Sequence, residues 1–124
     1  MLTPYPNIYK TFFPALTMEI DVTDETFEKE VIEKSKDIPV LVDFWASWCG
    51  PCVILKPILE RISKDYGNKI ILAKLDVNKN TKTASKYSVM SIPSVKLFKK
   101  GKIIDEFTGL QPEEKIREWL KLKI

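Results

Sequence analysis

The sequence predicts a three-layer α/β sandwich, and three observations carry that expectation. Val40-Leu41-Val42-Asp43-Phe44-Trp45-Ala46 and Lys69-Ile70-Ile71-Leu72-Ala73-Lys74-Leu75-Asp76-Val77 are nearly continuous apolar runs, the pattern of strands covered by helices on both faces. Segments with apolar residues at helical spacing lie between and after these runs, as amphipathic helices packed on a sheet require. The chain has 124 residues, 44% of them hydrophobic, enough for one well-buried core and too few for two.

Each element follows in order. Residues 1–17 scatter Pro4, Pro6 and Pro14 among Tyr5, Tyr9, Phe12 and Phe13 with neither a helical nor an alternating period. They have no basic start and no continuous apolar core of the signal-peptide kind. A mobile N-terminal extension is expected there, with an arm that docks through its aromatics as the alternative; Met18 offers a second possible start of translation. The folded domain is expected over 18–124, opening on a short strand at 18–22. Thr23 or Asp24 can cap a helix that buries Phe27, Val31 and Ile32 and ends before Pro39. After the strand at 40–46, a helix over 50–66 puts Cys52, Leu55, Leu59, Ile62 and Tyr66 on one stripe and stops at Gly67-Asn68. Pro57 lies inside that helix, removes one backbone hydrogen bond and is expected to kink it. The strand at 69–77 leads to a short helix at 81–87. Strands at 94–98 and 103–107 flank Lys99-Lys100-Gly101-Lys102, a connection suited to an antiparallel hairpin. A last helix opens near Pro112 and turns Ile116, Trp119 and Leu120 inward.

Composition narrows the chemistry. The 20 Lys plus Arg and 17 Asp plus Glu are interleaved and leave a net charge of +3, so no basic stripe follows a phosphate backbone and nucleic acid is not an expected partner. The longest apolar runs break at Asp43 and Lys74, short of the roughly 18 residues a membrane-spanning helix needs. His is absent and only two Cys occur, spaced C-x-x-C, which removes most metal and nucleophile-plus-base chemistries. No metal and no cofactor is called for.

If Cys49 stands at a helix entrance, Cys52 shares its face with a Cβ separation of about 5–6 Å. A disulfide needs about 3.5–4.5 Å, so slight tightening where the helix backbone is least constrained brings one within reach. The free N–H groups and positive dipole end there favour a thiolate on Cys49, whereas Cys52, on the apolar stripe, is expected to remain a buried thiol. Cys49 then attacks a target disulfide, and Cys52 attacks the resulting mixed disulfide to release the reduced target. Two other readings stay open: a purely stabilising cross-link, and a zinc site completed by carboxylates or a second chain. Haem attachment would need His where Val53 stands, and an iron–sulfur cluster usually needs four Cys.

The run Val42-Asp43-Phe44-Trp45-Ala46-Ser47-Trp48-Cys49-Gly50-Pro51-Cys52, followed by Pro57, Ile92-Pro93 and Gly109, resembles the thioredoxin family closely from around Glu19 onward. The resemblance implies a central mixed five-stranded sheet with four flanking helices. It also implies dithiol–disulfide exchange on protein substrates, with a Cys49–Cys52 disulfide that forms and breaks and an active-site turn of Trp48, Gly50 and Pro51. The partners implied are thioredoxin reductase and disulfide-containing proteins, among them peroxiredoxin, ribonucleotide reductase and methionine sulfoxide reductase. A cytoplasmic monomer that keeps cellular thiols reduced is expected. A protein disulfide isomerase or oxidase shares these cysteines but works from the oxidised state, and the potential of the pair separates the two. A redox-sensing binding module would use the same surface without turnover.

Asp43 also reads from the residues alone: a carboxylate inside an apolar strand is costly to ionise, so burial raises its pKa unless a cation such as Lys74 comes near. In the resemblance Asp43 lies beneath Cys52 as its general base, tuned by Lys74; the alternative leaves it at a sheet edge or bonded to backbone N–H groups. Most X-Pro bonds are trans, but the resemblance implies a cis Ile92–Pro93 bond facing the cysteines. Trp48, Ile92, Pro93, Gly109 and Leu110 would then form a shallow apolar groove that binds an extended substrate segment by strand addition. Trp48 has a core packing alternative, and Trp45 is expected to pack rather than bind. Three positions depart from the family's pattern: Val53 replaces a basic residue, Ser91 a Gly and Ser94 a Thr. They leave the catalytic set intact and bear on which partners dock.

Overall fold

A computed structural model describes residues 18–124; the extension expected over 1–17 lies outside them. The two apolar runs form adjacent parallel strands, β2 (Val40–Trp45) and β3 (Ile71–Asp76). A short strand, β1 (Glu19–Asp21), pairs parallel with the outer side of β3. The hairpin strands β4 (Ser94–Lys99) and β5 (Lys102–Thr108) continue the sheet beyond β2 with both pairings antiparallel. The strand order β1-β3-β2-β4-β5 is the mixed five-stranded sheet that the resemblance implied.

Four helical segments cover it: α1 (Glu28–Glu33, continued by a 3-10 turn over Lys34–Lys36), α2 (Gly50–Tyr66), α3 (Thr81–Lys86) and α4 (Glu113–Lys123). One face of the sheet packs Val40, Val42, Phe44 and Ile71 against Phe27 and Val31 of the α1 segment, with Tyr87 after α3 alongside. The other packs Leu41, Leu72, Val95 and Leu97 against Leu55, Leu59 and Ile62 of α2 and Ile116 and Leu120 of α4. Trp119 is only half-buried, edge-on to Phe107 at 5.1 Å, because its indole N–H reaches out to Asp105.

The α1 segment departs from the regular helix its spacing suggests, being wound as a π-helix that tightens into the 3-10 turn. Ser35 accounts for the tight end. Its hydroxyl donates to the Ile32 carbonyl at 2.8 Å, and its own Oγ and carbonyl accept from the N–H groups of Gly101 and Lys100 in the β4–β5 turn. Lys100 and Gly101 have φ of 58° and 85°, the mirror-image turn whose twist matches a hairpin.

The two cap candidates take different roles. Thr23 closes the turn that leads into α1 rather than capping α1 itself, whose N-cap position, Phe27, has no side-chain bond: Thr23 Oγ1 accepts from the Thr26 N–H, and the Thr26 hydroxyl accepts from the Thr23 N–H in return. Asp24 serves α3 instead, its Oδ1 accepting from the Thr83 N–H at 2.8 Å and its Oδ2 from the Lys82 N–H. Asn80, at the N-cap of α3, makes no capping bond itself; its Oδ1 accepts from the Asp24 N–H. Burial would raise the pKa of Asp24, and the Thr83 hydroxyl and these N–H groups outweigh it and hold the carboxyl below its ordinary value. Asp24→Ala is therefore expected to lower stability by about 0.5–2 kcal/mol, the range for a lost N-cap, in urea unfolding. An unchanged midpoint would show that the contact carries no stability.

The strand pairings fix where the chain enters and leaves the sheet. Phe44, Ser94 and Thr108 share one edge, the one at which β2 passes into α2. Glu19 and the β4–β5 turn lie toward the opposite edge, where the Leu72 N–H donates to the Met18 carbonyl and Lys99 Nζ to the Lys123 carbonyl near the end of α4.

Candidate active site

Cys49 is the N-cap of α2, with extended backbone (φ −93°, ψ 109°), and its Sγ accepts from the Cys52 N–H at 3.2 Å. Pro51 sits in the first helical turn, where a backbone N–H has no intrahelical partner to lose. Cys49 and Cys52 are joined by a disulfide with Cα atoms 5.3 Å apart, within the ordinary span of such bonds. They pack on Ala46, with Trp45, Val77 and Ile92 around them. In this oxidised form Cys49 and Cys52 are 5% and 3% exposed, so accessibility does not distinguish them. Position does: Cys49 Sγ lies at the free N–H groups of the helix, while Cys52 heads the buried stripe of Leu55, Leu59 and Ile62.

Asp43 is 2% exposed in the middle of β2, opposite Lys74 of β3 in the strand register. Its Oδ1 is buried with no hydrogen-bond partner. Burial drives its pKa from the ordinary 3.8 up to about 7, opposed by the charge of Lys74. The edge-of-sheet and backbone-bonded alternatives are therefore not what the structure has. Lys74 does not pair with Asp43: Nζ lies 3.1 Å from Glu60 Oε2 and 3.5 Å from Glu19 Oε1. Burial would depress the pKa of Lys74, and these two carboxylates reverse the shift and raise it. A cavity of about 490 Å³ is lined by Asp21, Asp43, Trp45, Cys52, Lys56 and Lys74, so Asp43 and Cys52 face one solvent-accessible space.

Ile92–Pro93 is a cis peptide, Ile92 packs on the cysteine cluster, and the Gly109 N–H donates to the Pro93 carbonyl at 2.8 Å. Gly109 has φ 88°, which a side chain would strain, and space is open where a Cβ would stand. Trp48 is 69% exposed, against core packing, and Leu110 is exposed as well. Trp45 is half-buried against the cysteines, as a packing residue should be. Sequence reasoning singles out Val53 but not Ile54 or Met90, and all three are exposed apolar residues. The signal for Ile54 was available: it is apolar yet lies off the buried stripe of α2. Met90 is 92% exposed two residues before Ile92 and carried no such signal. Among the described residues no three His, Cys, Asp or Glu side chains are grouped as metal ligands would be.

Comparison with known proteins bears on these features together. The thioredoxin family model matches residues 18–122. A thioredoxin of Rickettsia bellii is 46% identical over 107 residues, which cover 86% of this chain and 100% of that protein. One from Staphylococcus epidermidis is 46% identical over 101 residues, 82% of this chain and 93% of its own length. One from Chlorobaculum thiosulfatiphilum is 44% identical over 96 residues, 77% and 87% respectively. Disulfide-containing proteins as substrates and a reductase as electron source come with this kinship. A C-x-x-C disulfide at a helix entrance, on a sheet of this order and within a match of this extent, leaves one conclusion: the chain belongs to the thioredoxin family and is a protein-disulfide oxidoreductase.

Proposed function

We propose that Cys49 is the nucleophile, Cys52 the resolving thiol and Asp43 the general base of a general protein-disulfide reductant, with Lys74 tuning Asp43. The observation that carries this assignment is the unpartnered, buried carboxyl of Asp43 facing the same cavity as Cys52. In the reduced protein the Cys49 thiolate attacks one sulfur of the target disulfide, and the other target sulfur leaves as a thiolate. The Cys52 thiol is almost wholly buried and shares its cavity with Asp43, so its proton passes to the Asp43 carboxylate directly or through a water in that cavity. The Cys52 thiolate attacks Cys49 Sγ, the bond from Cys49 to the target breaks, and the target leaves as its second thiolate. Two electrons have moved from the dithiol to the target, and the Cys49–Cys52 disulfide remains for a reductase to reduce.

Trp48, Ile92, Pro93, Gly109 and Leu110 form the substrate groove in this reading. The open space above Gly109 admits a partner's backbone, and the exposed Trp48 and Leu110 supply apolar contact. Val53, Ile54 and Met90 widen the apolar rim, which favours partners with apolar rather than acidic contact surfaces. Thioredoxin reductase as the electron source fits this cycle, as do peroxiredoxin, ribonucleotide reductase and methionine sulfoxide reductase as targets, in a cytoplasmic monomer. No described helix is long and apolar enough to cross a membrane. Residues 1–17 are an appendage to the domain in this reading.

Rapid-mixing kinetics test the base. Asp43→Asn should slow release of the mixed disulfide by about 10²-fold, the lower end for a lost general base, while leaving its formation nearly unchanged. The parent's release rate should climb with pH and level off above about 7, as Asp43 ionises. Equal slowing of both steps would remove Asp43 from the role.

A further inference from the structure

Asp21, Lys74 and Asp43 lie side by side in the register of β1, β3 and β2, one cation between two carboxylates. A lysine so placed has Asp43 as an available partner, yet its ammonium is bonded to Glu60 and Glu19. Both acceptors pull the same way. Glu19 stands two residues before Asp21 on a strand parallel to β2, back from the cysteine edge. Glu60 lies eight residues beyond Cys52 on α2, about 12 Å further along the helix axis and away from the disulfide.

We propose that Glu60, together with Glu19, is a positioning residue for the resolving step, holding the Lys74 ammonium away from Asp43 so that the buried carboxyl keeps its affinity for the Cys52 proton. The inference rests on the reading of Asp43 as proton acceptor. A carboxylate paired with lysine is a weaker base, and an opposite charge within about 4–6 Å typically lowers a carboxyl pKa by 1–3 units. The unpartnered Asp43 Oδ1 is what such a diversion leaves behind. The other charged groups nearby do not substitute for the clamp. Lys56 of α2 and Asp21 of β1 line the cavity, and they carry opposite charges. Lys96 of β4 stands opposite Val42, on the other face of the sheet, where it pairs with Glu106.

The test follows the Asp43 carboxyl by carbon NMR across pH in the oxidised protein, with the rate of mixed-disulfide release measured over the same range. Glu60→Gln should lower the Asp43 midpoint by about one unit, Glu60→Gln with Glu19→Gln by more, and the release profile should move to lower pH with it. Removing a negative charge also acts on Asp43 through space, so the same substitutions are made on a Lys74→Met background, where only that direct effect survives. A distinctly larger shift with Lys74 present supports the clamp. An unmoved midpoint, or equal shifts on both backgrounds, overturns it while leaving Asp43 as acceptor. A midpoint that moves while the release profile stays in place overturns the acceptor role, and the positioning role with it.

Discussion

Asp43→Asn is expected to stabilise the oxidised protein by an amount that grows from near zero at pH 4 to on the order of 4 kcal/mol above pH 7. The sign follows from the proton balance. In the unfolded chain the carboxyl titrates near 3.8; in the folded protein, buried and unpartnered, it holds its proton until about pH 7. Between those values the folded state binds more protons than the unfolded state, so its advantage shrinks as pH rises, by about 1.4 kcal/mol per unit. Above pH 7 the native protein carries an ionised group in an apolar strand, and the whole penalty is present. Asparagine keeps the shape and cannot ionise, so it escapes the penalty. Urea unfolding at pH 4, 6 and 8.5 reads the effect directly; a gain that is flat with pH would mean that Asp43 is ionised throughout. A residue that weakens the fold at working pH is what a site held for chemistry looks like.

The cysteines give the second large effect. Cys49→Ser should reduce protein-disulfide turnover by at least about 10³-fold, because a hydroxyl with an ordinary pKa supplies almost no anion to attack sulfur. Cys52→Ser should also stop turnover, but after one event: Cys49 still attacks, and the mixed disulfide with the target accumulates for lack of a resolving thiol. Non-reducing gels and mass spectrometry of the two variants with a disulfide-bonded protein separate the outcomes. A covalent adduct formed by Cys49→Ser rather than by Cys52→Ser would exchange the two roles.

Much of this was legible in the residues, for identifiable reasons. The runs around Asp43 and Lys74 read as buried strands because a strand covered on both faces has no polar alternation to confuse it. The α2 stripe read correctly because Cys52, Leu55, Leu59 and Ile62 are all buried, the last three in the core shared with α4 and Cys52 in the small cluster with Ala46 and Cys49. The cis Ile92–Pro93 bond came only through family resemblance, since nothing local to that dipeptide distinguishes it. What stayed hidden depends on register between distant segments. Asp24 looks like a cap for the helix that follows it, and only the fold shows that its carboxyl faces the backbone of Lys82 and Thr83. Lys74 looks like a partner for Asp43, and Glu60 diverts it from a helix whose rotation the sequence does not state in absolute terms. Periodicity tells which side of an element is buried, not which residue of another element it meets.

The entry and exit of the chain have a practical consequence. Met18 meets the sheet, and Lys123 leaves α4, toward the edge opposite the one where β2 delivers Cys49. A tether after Lys123, whether a fused partner or a surface linker, starts toward the side of the sheet opposite the disulfide. Anchored in this way, the protein presents its cysteine edge outward, and an immobilised layer of it can meet folded targets without turning over.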